Sequence, residues 1–199
     1  ARRQSPASAP ADLSIPAALP ALAEALDRTD VAGEPFLRRA INANFRVGRA
    51  QDAARLARYA ARKDSPEKMK TTALACLALW PQPPVLDAVE GRYRKYGPRD
   101  PGVAAKALGT AADELVGSGS TKVMTVLALA IQRLNTVELL PLVHAMYDAK
   151  GASVKLRSQL LDTMKALSDP ELGSFVARAL KDADKKLRAA AQKYAAAAG

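Results

Sequence analysis

The chain has 199 residues, 49% of them apolar, and this combination predicts a folded protein with a substantial core rather than a disordered tail. The net charge of +10 permits contact with nucleic acid, anionic lipid or an acidic protein, and it does not choose among them. The single cysteine, Cys76, excludes an internal disulfide, and no apolar run approaches the ~20 residues of a membrane span.

The first fifteen residues differ in composition from all that follows. The stretch ARRQSPASAPADLS is rich in Pro, Ala and Ser, and it lacks the basic-then-apolar order of a signal sequence. We therefore expect residues 1–15 to form a flexible leader or linker, as in a chain cut from a longer protein.

From residue 16 onward, apolar residues recur with helical spacing. Leu172, Phe175, Val176 and Ala179, for example, fall at i, i+3, i+4 and i+7, which is one face of an α-helix. No run shows the alternating pattern of a strand, so an all-α fold is predicted. The first helices of successive pairs are expected near 16–28, 50–62, 102–116, 136–148 and 170–181. The second helices are expected near 34–47, 66–80, 120–134, 153–168 and 184–197.

The second helices share a register position that reveals a repeat. It is occupied in turn by Leu37, Met69, Met124, Leu156 and Leu187, at spacings of 32, 55, 32 and 31 residues. The one long step exceeds the others by about the length of the Pro-rich stretch that follows Trp80. One helical hairpin cannot bury its apolar face alone, whereas stacked hairpins share a continuous core. We therefore predict a right-handed α-solenoid of about five hairpins over 16–199, with an insertion at 81–101 between the second and third.

The insertion interleaves cations with aromatic residues. Its start, Trp80-Pro81-Gln82-Pro83-Pro84, ends a helix and favours extended backbone. The part that follows suits phosphate contacts plus stacking, or anchoring to an acidic protein. The other interpretation is that the segment covers an exposed edge, with its tyrosines packed and its cations solvated. The candidate partner-binding residues here are Arg92, Tyr93, Arg94, Lys95, Tyr96 and Arg99.

A second group of candidates lies on the predicted helix at 50–62. Arg55, Arg58 and Arg62 are spaced i, i+3 and i+7, so they share one helix face. They are candidates for partner binding, and the simpler interpretation is a solvated face, because charge runs usually face water.

No motif predicts catalysis, a metal or a cofactor. His144 has no second ligand nearby in sequence, and Cys76 is expected to behave as a small buried apolar residue. The string GSGSTK at 117–122 lacks the spacing of a phosphate loop, and a turn in which Ser120 caps the next helix accounts for it.

The array resembles the HEAT family in its short bacterial form. The resemblance lies in the acidic-Pro helix starts Asp100-Pro101 and Asp169-Pro170, and in the Leu/Met-Arg/Lys start of the second helices. The insertion resembles one in the HEAT region of large exported planctomycete-type proteins, which join a β-propeller to HEAT repeats and a cytochrome c domain. The residues that carry this second likeness are Trp80, Pro81, Pro83, Pro84, Asp87, Val89, Gly91 and Arg92. The haem-attachment motif Cys-x-x-Cys-His and the propeller are both absent, so haem is not assigned here.

The resemblance implies a non-catalytic scaffold within a larger exported redox-type protein. Its partner would be a protein or a neighbouring domain of the same polypeptide, and its location would be periplasmic. The alternative is a basic, cytoplasmic HEAT-like nucleic-acid-binding protein similar to DNA glycosylases, although no cluster of aromatics and a catalytic aspartate is evident. A phycobilin-lyase-type enzyme also shares short HEAT repeats, but nothing in the sequence marks a chromophore site.

Overall fold

The computed structural model describes residues 16–28, 33–117 and 120–195, and the predicted leader at 1–15 lies outside them. Within these ranges the chain is all-helical, and its only strand-like feature is one isolated bridge. The chain divides between residues 118 and 119 into two compact units. None of the described helices is long and apolar enough to cross a bilayer.

The first unit contains six α-helices among its described residues. They are α1 (Leu19–Glu24), α2 (Glu34–Val47), α3 (Ala50–Ala61), α4 (Glu67–Ala78), α5 (Pro101–Thr110) and α6 (Ala112–Gly117). Short 3-10 turns, Pro16–Ala18 and Ala25–Asp27, flank α1. Helix α1 packs on α2 and α3 packs on α4, while α2 also contacts α4 and α3 also contacts α5. The unit is therefore built in two layers, with α2 and α4 in one and α3 and α5 in the other.

The second unit contains five α-helices among its described residues. They are α7 (Thr121–Leu134), α8 (Leu140–Asp148), α9 (Val154–Ala166), α10 (Leu172–Leu180) and α11 (Lys185–Ala195). The 3-10 turn Val137–Leu139 leads into α8. Helix α8 packs on α9 and α10 packs on α11, and α9 also contacts α7 and α11. The layering of the first unit recurs, with α7, α9 and α11 on one side.

The repeated register position identifies core residues correctly. Its five occupants, Leu37, Met69, Met124, Leu156 and Leu187, are all buried. Each belongs to the second helix of a predicted pair, and the bounds of all five second helices lie within a few residues of the prediction. The first helices differ more, because the one predicted at 102–116 is divided into α5 and α6 and the one predicted at 16–28 is α1 between two 3-10 turns. The third predicted pair has its first helix in the first unit and its second helix in the other.

Side-chain caps fix several of the predicted helix starts. Ser120 accepts a hydrogen bond from the Val123 amide at 3.3 Å, which confirms the cap predicted there, while residues 118–119 of the predicted turn lie outside the described residues. Asp100 accepts one from the Gly102 amide at 2.8 Å, and Pro101 opens α5, where its missing amide hydrogen is not needed. The start of α10 is displaced from its predicted position. Asp169 closes a turn onto the Glu171 amide instead, and the helix begins at Leu172.

Candidate functional site

The insertion forms an ordered loop, residues 79–100, that docks on the end of α2. Its two ends are tied together where the Arg99 amide donates to the Pro81 carbonyl at 3.3 Å. Between them, a short hairpin at 85–94 is held by two backbone hydrogen bonds. The Arg94 amide donates to the Val85 carbonyl at 2.7 Å, and the Asp87 amide donates to the Arg92 carbonyl at 2.9 Å. An insertion with closed ends and its own hydrogen bonds is a structured loop and not a free linker.

A buried carboxylate fixes the inner face of the hairpin to α2. Asp87 is 4% exposed, and Asn42 of α2 donates to both of its carboxylate oxygens at 3.0 Å. The amides of Val89 and Glu90 donate to the same carboxylate at 2.9 and 2.8 Å. Burial raises the pKa of Asp87, but the hydrogen bonds from Asn42 and the two amides, with the charge of Arg46, hold that pKa below its usual value. Asp87 is therefore a charged, fully engaged anchor.

Two arginines and a second carboxylate complete the anchor. Glu90 pairs with Arg46 of α2 on one side and with Arg94 of the hairpin on the other. The Nε atoms of Arg46 and Arg94 also lie 3.9 and 3.7 Å from an Asp87 oxygen. The anchor therefore consists of two carboxylates, those of Asp87 and Glu90, paired with two guanidinium groups, those of Arg46 and Arg94. Breaking a partly buried cluster of this kind leaves an uncompensated charge, which is strongly destabilising.

An aromatic cage encloses Arg99 at the base of the loop. Its guanidinium carbon lies 5.2 Å from the ring centre of Phe45, 4.8 Å from that of Trp80 and 5.4 Å from that of Tyr96. The guanidinium donates to the Phe45 carbonyl at 2.7 Å, near the end of α2 where helix carbonyls lack partners. Desolvation lowers the pKa of Arg99. The arginine therefore combines cation–π contacts with capping of α2.

The outer face of the hairpin points to solvent. Leu86 and Tyr93 face each other across the isolated bridge and are 58% and 72% exposed, and Val85 beside them is 53% exposed. Among the described residues five large apolar side chains are exposed, and these are three of them. Asp87, the residue after Leu86, is turned inward to Asn42, whereas Val85, the residue before it, is exposed. The division between the two faces therefore follows from the anchoring contacts of Asp87 and not from a regular strand alternation. We call the exposed set the insertion surface: Val85, Leu86, Arg92, Tyr93 and Lys95.

The six candidates of the insertion are therefore separated by the fold. Arg92, Tyr93 and Lys95 are exposed and lie on the insertion surface. Arg94 belongs to the anchor, while Tyr96 packs against Phe45 and contributes to the cage of Arg99. The sequence analysis offered the interpretation that the insertion covers an exposed edge, with packed tyrosines and solvated cations. The packing of Tyr96 agrees with it. Arg94 and Arg99 do not, because both are engaged with other groups.

The three candidate arginines, two on α3 and Arg62 directly after its end, do not form a uniform solvated face. Arg55 is 7% exposed and donates to Asp27 at 2.7 Å, to Asn44 at 2.9 Å and to Asp52 at 2.9 Å. Arg58 is exposed and reaches Asp27 at 3.3 Å. The third, Arg62, pairs with Asp64 at 3.1 Å and donates to the Leu26 and Arg28 carbonyls. Arg55 and Arg62 thus tie α3 to the chain around the turn after α1.

The histidine and the cysteine are both held in packed surroundings. His144 lies 2.7 Å from Asp169 and stacks on Phe175. Desolvation, with a smaller contribution from Asp87, raises the pKa of the Cys76 thiol to about 12. A thiol with that pKa stays protonated at neutral pH and is a poor nucleophile. No group of three His, Cys, Asp or Glu side chains that suits a metal is found within the described ranges.

The sequence analysis did not identify the two residues of α2 that hold the anchor, Asn42 and Arg46. The sequence does contain one indication that Asn42 has a buried partner. Asn42 follows Ile41 and precedes Asn44 and Phe45 on a helix whose middle is apolar, and a buried polar side chain requires a partner. Nothing in the sequence indicated that the partner lay 45 residues away.

Comparison with protein-family models, curated proteins and solved structures finds no match to this chain.

Proposed function

We propose that this protein is a non-catalytic helical-repeat module that binds an acidic protein partner through its insertion surface. In its full form the proposal is a right-handed α-solenoid of about five HEAT-like hairpins, interrupted once by the insertion at 81–101. Two observations support this architecture. The residues at the repeated position of the second helices are all buried, and the two-layer packing of helices occurs in each unit.

The observation that carries the proposal is the contrast between the two faces of the hairpin. Its inner face is fixed by Asp87 and Glu90, whereas its outer face exposes Leu86 and Tyr93 to solvent. A pre-ordered loop loses little conformational entropy on binding, so its exposed apolar area contributes more to affinity. Tyr and Arg are also the residue types that dominate binding hot spots.

The charge of the surface favours an acidic partner. Arg92 and Lys95 flank Tyr93, and the chain as a whole carries +10. Complementary charge accelerates encounter and suppresses wrong partners. The proposed partner is therefore a protein with an acidic surface, on another chain or in a neighbouring domain of the same polypeptide.

The origin of the chain in a larger exported redox protein, with a periplasmic location, rests on the family resemblance alone. It stays a prediction. The sequence of the complete gene tests it, since it requires a propeller region upstream and Cys-x-x-Cys-His downstream.

Nucleic acid is the second candidate partner, and one observation favours it. Tyr93 is largely exposed between cationic residues, and an aromatic ring in that setting can stack on a base while the cations contact phosphates. Such binding loses affinity steeply with salt, because each phosphate contact releases counterions.

The test begins with a photo-crosslinking amino acid in place of Tyr93, used in the source organism to capture whatever contacts the insertion surface. The captured protein is then purified, and its Kd is measured against the unmodified chain and the Leu86→Ala/Tyr93→Ala variant. We expect an acidic partner and a loss of at least about tenfold in the variant, since hot-spot truncation costs more than about 1 kcal/mol.

The matched control is Leu129→Ala/Val137→Ala, which removes two exposed apolar side chains elsewhere. It should leave the Kd unchanged. Equal losses in the two variants would refute the assignment of the surface. Tight binding of a single-stranded DNA oligonucleotide that depends on Tyr93 would favour the nucleic-acid candidate instead.

A further inference from the structure

The hairpin of the insertion presents unpaired backbone groups at its outer edges. Leu86 and Tyr93 face each other across the isolated bridge, and the two backbone hydrogen bonds of the hairpin join the residues on either side of them. Leu86 and Tyr93 are therefore a non-hydrogen-bonded pair, in which the N–H and C=O groups of each residue point away from the other strand. The backbone of each residue can thus pair with a further strand.

A proline limits the edge of the first strand. Two residues before Leu86, at the next position that faces outward in an extended strand, the chain has Pro84. Proline has no N–H to donate, and prolines on edge strands prevent a further strand from pairing. This edge therefore does not extend a ladder of hydrogen bonds from Leu86 toward the start of the loop.

The edge of the second strand continues from Tyr93 to Lys95. Both residues are exposed, whereas Arg94 and Tyr96, which alternate with them, point inward to the anchor and to the aromatic cage. This alternation is that of an extended strand, so the backbone groups of Tyr93 and Lys95 face the same edge. Within the described ranges neither residue makes a backbone hydrogen bond. We call these two residues the open edge.

The open edge is held in position by the rest of the loop. The Arg94 amide donates to the Val85 carbonyl at 2.7 Å, and the Arg94 guanidinium pairs with Glu90. Behind them, the Arg99 amide closes the loop on the Pro81 carbonyl at 3.3 Å. An extended strand that is fixed in advance loses little conformational entropy when a second chain pairs with it. The open edge therefore has the properties of a site for β-augmentation, in which a partner adds one strand.

Lys95 determines which kind of strand fits the open edge. No ion pair joins Lys95 to a residue that the structure describes, and the carboxylates of the hairpin, Asp87 and Glu90, are buried in the anchor. Opposite charges on facing residues of two strands stabilise their pairing, and like charges weaken it. A lysine at an edge also disfavours pairing between two copies of the chain, each of which carries +10. The fitting strand therefore places a carboxylate opposite Lys95.

We propose that the partner binds through an extended segment, which pairs with the open edge as a third strand and places a glutamate or aspartate opposite Lys95. An apolar side chain of that segment lies against Tyr93. This inference rests on the proposed function, because it specifies how the acidic partner is held at the insertion surface. It excludes a helix at this edge, since the backbone groups inside a helix are already paired with one another.

The probe is a displayed library of random peptides of about nine residues, which span about 30 Å when extended. Selection against the full chain should enrich peptides with a glutamate or aspartate at one fixed position. An enriched peptide is then remade with a single backbone N-methyl group at each position in turn, and each Kd is measured by fluorescence polarisation. N-methylation should weaken binding at least about tenfold at two positions separated by one residue, where the N–H faces the open edge. The positions beside them are the matched controls and should bind normally.

Substitutions of Lys95 test the same edge from the side of the protein. Lys95→Pro removes an N–H that has no acceptor among the described residues, so the fold loses no hydrogen bond, and peptide binding should weaken at least about tenfold. Lys95→Ala keeps the N–H and is the matched control. It should weaken binding only about threefold, the scale of an exposed ion pair.

A charge reversal tests the facing carboxylate. Selection of the library against Lys95→Glu should replace the fixed glutamate or aspartate by lysine or arginine. Lys165→Glu, at an exposed position of α9, should leave the enriched sequence unchanged. Circular dichroism verifies that each variant is folded, and the N-methyl scan with Lys95→Glu decides if Lys95→Pro is not.

Equal effects of N-methylation at all positions, or equal affinities of Lys95→Pro and Lys95→Ala, overturn the proposal. So does a library that yields no peptide dependent on Lys95. A dimer of this chain that Lys95→Pro dissociates would assign the open edge to a second copy instead. The proposed function fails separately. A partner captured at position 93 that loses affinity in Leu86→Ala/Tyr93→Ala, but binds Lys95→Pro as well as Lys95→Ala, keeps the insertion surface as its site and overturns the strand pairing alone.

Discussion

Arg99 is held by three aromatic rings and by the end of α2, and Gly48 is the residue that leaves room for it. Gly48 has a φ of +74°, in the left-handed region that favours glycine. A Cβ added to it would lie 2.6 Å from the Arg99 guanidinium carbon. Two independent requirements, backbone conformation and space, therefore fall on one residue.

Gly48→Ala should consequently destabilise the first unit by about 2 kcal/mol, the scale of left-handed strain plus a displaced buried group. Urea unfolding of the full chain, followed by tryptophan fluorescence, measures the change, because Trp80 is one wall of the cage. Gly97→Ala is the control, since that glycine has no neighbour within 4 Å and no positive φ. Equal stability of the two variants would contradict the argument.

Asp87 makes the stability of the first unit depend on pH. Its folded pKa lies below the ordinary value of 3.8, so the carboxylate stabilises the fold above that value. This contribution is lost as the pH falls through the depressed folded pKa. Asp87→Asn keeps the shape but removes the charge, and it should cost about 3 kcal/mol at pH 7, as the loss of one member of a buried ion cluster does.

The measurement is urea unfolding of the wild type and the variant at pH 7 and at several values below 4. The difference between the two proteins should shrink as the pH falls, because protonation removes the same charge from the wild type. A difference that stays constant with pH would show that Asp87 acts through packing alone.

The residues whose roles the sequence did not indicate are those with distant partners. In the sequence, Arg99 and Arg55 look the same as the exposed cations. The fold shows that Arg99 lies over the ring of Phe45 and that Arg55 donates a hydrogen bond to Asn44. With 30 cationic and 20 anionic side chains, composition permits very many pairings and specifies none. Local patterns are less ambiguous, and the cap at Ser120 was predictable for that reason. The Asp-Pro pattern nevertheless caps α5 at Asp100 and does not cap α10 at Asp169.

At the scale of elements, the helix bounds can be predicted from interactions between residues close in sequence, whereas the conformation of the loop cannot. Helical spacing of apolar residues, proline at helix starts and serine caps each act within a few residues, so the predicted bounds lie close to the observed ones. The loop at 79–100 has no regular period. Its conformation depends on Asn42 and Arg46, so its length was evident from the repeat but its docked state was not.

Deletion of 83–98 with a short flexible linker should leave the helices formed but lower the stability of the first unit. Removing Asp87 and Glu90 leaves Asn42 and Arg46 without partners, and removing Tyr96 opens the cage. We expect full helical circular dichroism per residue and a loss of about 3 kcal/mol in urea unfolding.

The matched control is Leu86→Ala/Tyr93→Ala, which alters only the outer face of the same loop. Its stability should stay within about 0.5 kcal/mol of the wild type, as for surface substitutions in general. A deletion as stable as the wild type would show that the anchor contributes nothing, and an unfolded product would show that the loop belongs to the core of the unit.

At the scale of the whole molecule, charge and contact area have separate roles in binding. A net charge of +10 acts at long range and is screened within about 10 Å at 0.1 M salt. The exposed apolar side chains of the insertion surface act only on contact. If the proposed acidic partner exists, the net charge should govern its association rate, and the exposed apolar side chains should govern its dissociation rate.

For the partner captured at position 93, salt and the loss of apolar contact should therefore change different rate constants. Raising the salt concentration from about 0.05 to about 0.5 M should lower the association rate at least about tenfold and leave the dissociation rate nearly unchanged. Leu86→Ala/Tyr93→Ala should do the reverse, because it removes contact area and no charge. Surface plasmon resonance measures both rates. Salt that mainly accelerates dissociation would mean that ion pairs, as in phosphate binding, hold the complex together, and the apolar surface would then not be the site of attachment.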